Sequence, residues 1–129
     1  MSNYKFLSDN FLAFAHRGGN DFAPENSLKS FMRAYEIGYK YLETDVHLSK
    51  DGYLVAFHDE SLDRVTNKSG YIKDLSLTDI KKAKIHDVEE IPLLVDLLEN
   101  LPECFFNIDC KSDDTVIPLI NLIKKYSLL

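Results

Sequence analysis

His16-Arg17-Gly18-Gly19, Glu43-Thr44-Asp45 and His58-Asp59 bring two imidazoles, an arginine and closely spaced carboxylates into the first half of the chain. Each residue type answers a need of phosphoester chemistry. Carboxylates are the hard oxygen ligands that a divalent cation requires, a guanidinium makes bidentate contacts to phosphate, and histidine transfers protons near neutral pH. An isolated Glu-x-Asp is more often a solvated strand face than a ligand pair, so the weight lies in the whole set.

In a strand, side chains alternate between faces, so Glu43 and Asp45 project to one side with Cα atoms about 6.6 Å apart. Tyr41, Leu42, Val46 and Leu48 indicate a strand buried on at least one face. A carboxylate pair placed there is costly without a cation to share. A two-residue turn at Asp51-Gly52 would set Lys50 opposite Tyr53 and His58 across from Asp45, and another loop length would shift that pairing. By the same alternation Asn107, Asp109 and Lys111 share a face. Asp109 is then a third candidate metal ligand, and Lys111 a partner for it or for a substrate oxyanion. His47 is expected to support the site or face water, and Lys68, Lys73, Lys81, Lys82 and Lys84 read as a solvated surface.

The elements that must hold these residues follow from the hydrophobic pattern. Phe11-Leu-Ala-Phe-Ala15 is a short apolar run and predicts a buried strand with His16 at its end. Asn26 is the expected N-cap of a helix carrying Leu28, Phe31, Met32 and Tyr35, stopped by Gly38. Tyr41 to His47 is the next strand, giving a parallel βαβ unit whose strand ends lie at one rim, where α/β sheets place ligand sites. Leu54 to Phe57 is the returning arm of a hairpin. From Glu60 to about Glu90 the chain reads as a polar, irregular excursion with a short helix near Thr78 to Lys84. A helix opened by Pro92, a strand from Cys104 to Cys110, and a helix near Thr115 with Pro118 in its first turn complete the pattern.

The chain has 129 residues, 45% hydrophobic and 28% charged, which is one globular domain in length and composition. A formal net charge of −6 argues against a nucleic-acid-binding domain. The N-terminal apolar run is too short for a signal sequence or a membrane span, and a cytoplasmic location with no transmembrane segment is expected. Cys104 and Cys110 stand too far apart along one strand, roughly 20 Å, for a disulfide between them. Reduced thiols fit that reading.

Taken together, His16-Arg17-Gly18, Pro24-Glu25-Asn26, Glu43-Thr44-Asp45-Val46, Asp51-Gly52, His58-Asp59, Leu62-Asp63-Arg64 and Gly70 resemble the N-terminal part of the glycerophosphodiester phosphodiesterases. The resemblance implies an α/β fold of the TIM-type (β/α)8 barrel, represented by its first three βα units. Residues 1–129 form a partial barrel domain, with 59–91 as the insertion after the second strand. It further implies hydrolysis of glycerophosphodiesters to glycerol 3-phosphate and an alcohol. His16 and His58 look like the general base and general acid, Glu43 and Asp45 like ligands of Mg2+ or Ca2+, and Arg17 like a phosphate contact. Where the family commonly carries Glu-x-Lys, this chain has Asp109-Cys110-Lys111, a carboxylate one methylene shorter. A complete barrel needs about 250 residues. Association with another chain that covers the open sheet is therefore expected, and the alternative reading is an inactive half-barrel that binds metal or phosphate.

Overall fold

The computed structural model describes residues 12–21 and 23–126. Phe11, at the start of the first apolar run, and Leu128-Leu129 lie outside the described residues. Strand β1 (Phe14–His16) leads through the Arg17 to Ser27 loop into helix α1 (Leu28–Glu36), then into β2 (Tyr41–Leu48) and the antiparallel arm β3 (Leu54–Ala56). Residues 59–91 hold a 3₁₀ turn (Ile72–Asp74), helix α2 (Leu77–Lys82) and a small ladder, β4 (Lys84–Ile85) with β5 (Glu89–Glu90). Helix α3 (Leu94–Asn100), strand β6 (Phe105–Cys110) and helix α4 (Val116–Lys125) follow.

Strands β1 and β6 both pair parallel to β2, one on each side, and β3 pairs antiparallel to its C-terminal half. The register aligns Phe14, Tyr41 and Phe105 in one row and His16, Glu43 and Asn107 in the next, with Asp45 beside Asp109. Because side chains alternate, all of these project to one face. Its lower row is aromatic: the Tyr41 ring stands 5.5 Å from Phe14 and 5.4 Å from Phe105. The upper row is ionisable. The sheet is thus an open segment of an α/β barrel, and among the described residues β1 and β6 pair on one side only.

The opposite face packs on the helices. Ala15, Phe31, Ala34, Leu42, Ala56, Leu97 and Leu101 form one core between the sheet, α1 and α3. Phe31 is fully buried, worth about 2–3 kcal/mol on its own. Val46, Leu54 and Leu94 form a second core, against which Leu119 and Leu122 of α4 pack. The outer side of α4 is uncovered, with Ile117 64% exposed.

Four expectations are corrected. Ser27, not Asn26, caps α1, its Oγ accepting from the Ser30 N–H at 3.2 Å, while Asn26 takes φ 56° and turns its amide away from the helix. The hairpin closes over three residues, Lys50 to Gly52, with Gly52 at φ 90°, so His47 faces Val55 and the register is one residue off the two-residue turn. The Asp45 backbone carbonyl accordingly accepts from the Phe57 N–H at 3.0 Å, and Asp45 does not pair with His58. Helix α3 begins at Leu94, because the Pro92 carbonyl is bonded to the Ala56 N–H and the Leu93 N–H to the Asp96 carboxylate. Finally, the 59–91 segment is no loose excursion. Leu62, Val65, Ile72, Ile80, Ala83, Ile85 and Ile91 form a core of their own with Val55 and Phe57.

Candidate active site

The His16-to-Gly19 turn ends β1 with three consecutive residues in the left-handed region, Arg17 (φ 52°), Gly18 (φ 77°) and Gly19 (φ 78°). Gly18 is required twice over. A Cβ there would lie 2.4 Å from Ser30 Oγ and 2.9 Å from the Phe31 backbone nitrogen, so only glycine lets α1 approach the turn. The turn is further held by the Arg17 carbonyl, which accepts from Asn26 N–H at 2.8 Å and Ser30 Oγ at 3.3 Å. The Arg17 N–H donates to Glu43 Oε2 at 3.1 Å, and His16 Nε2 stands 3.8 Å from the same oxygen. His16 is the most open of the set, its side chain 70% exposed.

Asp45 is buried at the centre. Its Oδ2 accepts from Asn26 Nδ2 at 3.1 Å and lies 3.6 Å from Arg17 Nε, and its Oδ1 lies 3.1 Å from Lys111 Nζ. Asn26 is oriented in turn by Thr44, whose hydroxyl donates to Asn26 Oδ1 at 2.8 Å. Lys111 also reaches Asp109 Oδ2 at 2.6 Å. The hydrogen bond to Asp109, joined by the one to Asp45, holds its ammonium above the ordinary lysine range against the opposing effect of burial. Glu43, Asp45, Asp109 and Lys111 therefore share one rim, as their spacing predicts.

Whether these residues suit a divalent cation can be judged from the donors. Glu43 and Asp45 offer hard oxygens from one strand face, and Asp109 sits beside Asp45 in the register. Arg17 Nε is buried without a hydrogen-bond partner, so the surroundings of Asp45 are not yet saturated. Among the described residues no three potential ligands converge into a ready-made cage, because Lys111 bridges Asp45 and Asp109. The donor set fits a hard cation; its closure requires Lys111 to yield that place.

His58 sits at the end of the β3 arm and is held from two directions. Its Nδ1 lies 2.7 Å from Asp59 Oδ1, and its carbonyl lies 2.9 Å from His47 Nε2. His47 is buried on the face of Glu43 and Asp45, which makes it a support for His58. Asp59 is gripped by Arg64, whose Nε donates to Oδ2 at 2.7 Å and Nη2 to Oδ1 at 3.0 Å. That guanidinium, reinforced by His58, depresses the Asp59 carboxyl to about 2 against partial burial. The other edge of Arg64 meets Glu25, Nη1 to Oε1 at 3.1 Å and Nη2 to Oε2 at 3.2 Å, and Glu25 also accepts from Arg17 Nη1 at 2.9 Å. Burial opposes ionisation of Glu25, and the hydrogen bonds from Arg64 and Arg17 outweigh it, leaving its carboxyl below the ordinary value. Glu25 and Arg64 have no role that the sequence assigns, and Asn26 has only that of a helix cap. The only signal for them was their place in the motif pattern.

A groove of about 410 Å³ opens beside His58, lined by His47, Asp59, Glu60, Ser61, Tyr71 and Lys111. The site thus has a cationic centre at Arg17 and Lys111, carboxylates beneath it, and a supported imidazole at the wall of an open groove.

The profile of the Glycerophosphoryl diester phosphodiesterase family matches residues 16–127. The glycerophosphodiester phosphodiesterase of Caldanaerobacter subterraneus subsp. tengcongensis is 40% identical over 130 residues, covering 90% of this chain and 54% of the relative. A phosphodiesterase of Oleispira antarctica, solved in complex with the product sn-glycerol-3-phosphate, superposes with a TM-score of 0.82 at 31% identity, over 88% of this chain and 52% of that one. A glycerophosphodiester phosphodiesterase from Thermotoga maritima does so with a TM-score of 0.80 at 32% identity, over 91% of this chain and 51% of that one. The chain spans about half the length of the relatives it matches. With the family profile extending from His16 through Asp45 and Lys111 and on into α4, the chain belongs to the glycerophosphoryl diester phosphodiesterase family.

Proposed function

We propose that this chain carries the acid–base and phosphate-binding part of a metal-dependent phosphodiesterase that cleaves glycerophosphodiesters to glycerol 3-phosphate and an alcohol. The observation that carries this reading is the meeting of Arg17, Glu43, Asp45 and Lys111 at one strand rim, next to a His58 oriented by Asp59.

Arg17 is anchored at Nη1 by Glu25 and turns its buried Nε toward Asp45, which leaves Nη2 to donate to a phosphoryl oxygen. Lys111 supplies the second cation once released from Asp109. Glu43, Asp45 and Asp109 would hold Mg2+ or Ca2+, which when bound polarises the phosphoryl group and offsets its charge. His16, exposed at the end of β1, removes a proton from the attacking nucleophile. An ionised Asp59 can only accept, so Nδ1 of His58 carries a proton in both forms of the ring, and in the imidazolium that serves as the acid a second proton sits on Nε2, facing the substrate. From Nε2, His58 protonates the departing alkoxide as the phosphorus–oxygen bond to the alcohol breaks, and the groove lined by Glu60 and Tyr71 receives that alcohol.

The half-paired strands β1 and β6, with Phe105 exposed on the site face and Ile117 on the outer side of α4, favour a working enzyme in which further chain, its own or a partner's, covers these surfaces. The test is release of glycerol 3-phosphate from glycerophosphocholine with Mg2+ or Ca2+, by the chain alone and mixed with the C-terminal half of a relative. Turnover lost in both His16→Gln and His58→Asn is expected, by a factor of about 10²–10⁴ each. No turnover in either mixture defeats the proposal, and accumulated cyclic phosphate would identify a substrate hydroxyl as the nucleophile.

A further inference from the structure

Five ionisable side chains form one unbroken chain of contacts across the site: His58, Asp59, Arg64, Glu25 and Arg17. Every link is within hydrogen-bond distance, the longest being 3.2 Å from Arg64 to Glu25. Its middle member, Arg64, comes from the 59–91 segment and touches no group that the proposed reaction transforms. Both edges of its guanidinium are used as forks, one on Asp59 and one on Glu25. Such a double fork fixes the angle between two carboxylates, which a lysine ammonium cannot do. Glu25 then stands between two arginines, so its own position depends on both.

We propose that Arg64 is a positioning residue that sets the proton-donating imidazole and the phosphate-binding guanidinium relative to each other, acting on His58 through Asp59 and on Arg17 through Glu25. The inference rests on the acid role of His58 given above. Without Arg64, Asp59 can rotate toward water, and the His58 ring loses the acceptor that selects the Nδ1–H tautomer. Glu25, freed on one side, lets Arg17 move as well. The 59–91 segment thereby contributes to the geometry of a site whose proposed reacting groups lie outside it.

Nitrogen-15 NMR of the chain, with four histidines to assign, reads this directly. In the wild type at a pH where His58 is neutral, Nδ1 is expected to be the protonated nitrogen and Nε2 the bare one. Arg64→Met is expected to shift His58 toward the tautomer mixture of a free imidazole, with circular dichroism and the signals of His86 unchanged. Arg64→Lys, which keeps the charge without the fork, should recover only a minor part. In a turnover-competent mixture, Arg64→Met should lower kcat about 10- to 100-fold with KM nearly unchanged, whereas Glu25→Gln should raise KM as well. An unchanged His58 tautomer in Arg64→Met, or full recovery by Arg64→Lys, overturns the proposal. The NMR arm needs no turnover, so a tautomer shift without activity would fault the assigned reaction and leave the positioning role standing.

Discussion

Lys111 Nζ lies 3.1 Å from Oδ1 of Asp45, a buried carboxylate whose other oxygen is bonded by Asn26 and approached by Arg17. One carboxylate thus balances two cations from different loops, and the loops are held to β2 by it. Asp45→Asn keeps the shape and removes the charge. It is expected to destabilise the fold by about 2–3 kcal/mol, since it removes the counter-charge that two partly buried cations share and leaves Lys111 with Asp109 alone and Arg17 with Glu25 alone. Urea denaturation measures this, and an unchanged midpoint would show that Lys111 and Asp109 suffice without it.

Asn26 is predicted to matter for cation affinity more than for the helix it precedes. Its amide joins Thr44 to Asp45, so Asn26→Ala frees the Asp45 carboxylate to rotate. Mg2+ or Ca2+ affinity should fall about 10- to 100-fold by calorimetry. Ser27→Ala, which removes the α1 cap, should instead cost about 1 kcal/mol of stability and leave affinity alone.

Gly18 and Gly52 both take positive φ, and the prediction separates them. At Gly52 a Cβ would meet nothing within 4 Å, so Gly52→Ala carries only the backbone cost of about 1 kcal/mol. At Gly18 the new Cβ meets the Phe31 backbone at 2.9 Å, which no side-chain rotation relieves. Gly18→Ala should therefore cost about 3 kcal/mol or more. Equal losses in thermal or chemical denaturation would contradict the close approach of α1.

Asp59 gives a pH dependence of defined sign. Its carboxyl is depressed to about 2 by Arg64, so the associated stability is fully present above the ordinary aspartate value and is lost as pH falls from about 4 through about 2. With Arg64 half exposed, the contribution is about 1–2 kcal/mol after solvent screening. Denaturation midpoints at pH 5 and pH 3 should separate by more in the wild type than in Asp59→Asn. Equal separations would remove Asp59 as the source.

Much of the fold was legible because it is written in short-range pattern. The βαβ unit follows from Phe31 and Leu42 recurring at helix and strand periods, and the shared face of Glu43, Asp45 and Asp109 follows from alternation alone. The 59–91 segment reads as a surface in sequence because its apolar residues, such as Leu62, Ile72 and Ile80, are isolated among charges. They meet only when the segment folds back on Val55 and Phe57. The His58 register was missed by one residue because a left-handed Gly52 serves a three-residue loop as readily as a two-residue one.

The amino-acid sequence by itself determined the family, the parallel arrangement and the residue types brought to one rim, since side-chain alternation and motif spacing are local properties of the chain. The tertiary structure decided which partner each of those residues has. Lys111 reaches Asp45 on the neighbouring strand, Asn26 serves Asp45 and not the helix, and Arg64 reaches Glu25 across 39 positions of sequence. Those pairings depend on loops packing against one another through long-range contacts, and no period or spacing in the chain encodes them.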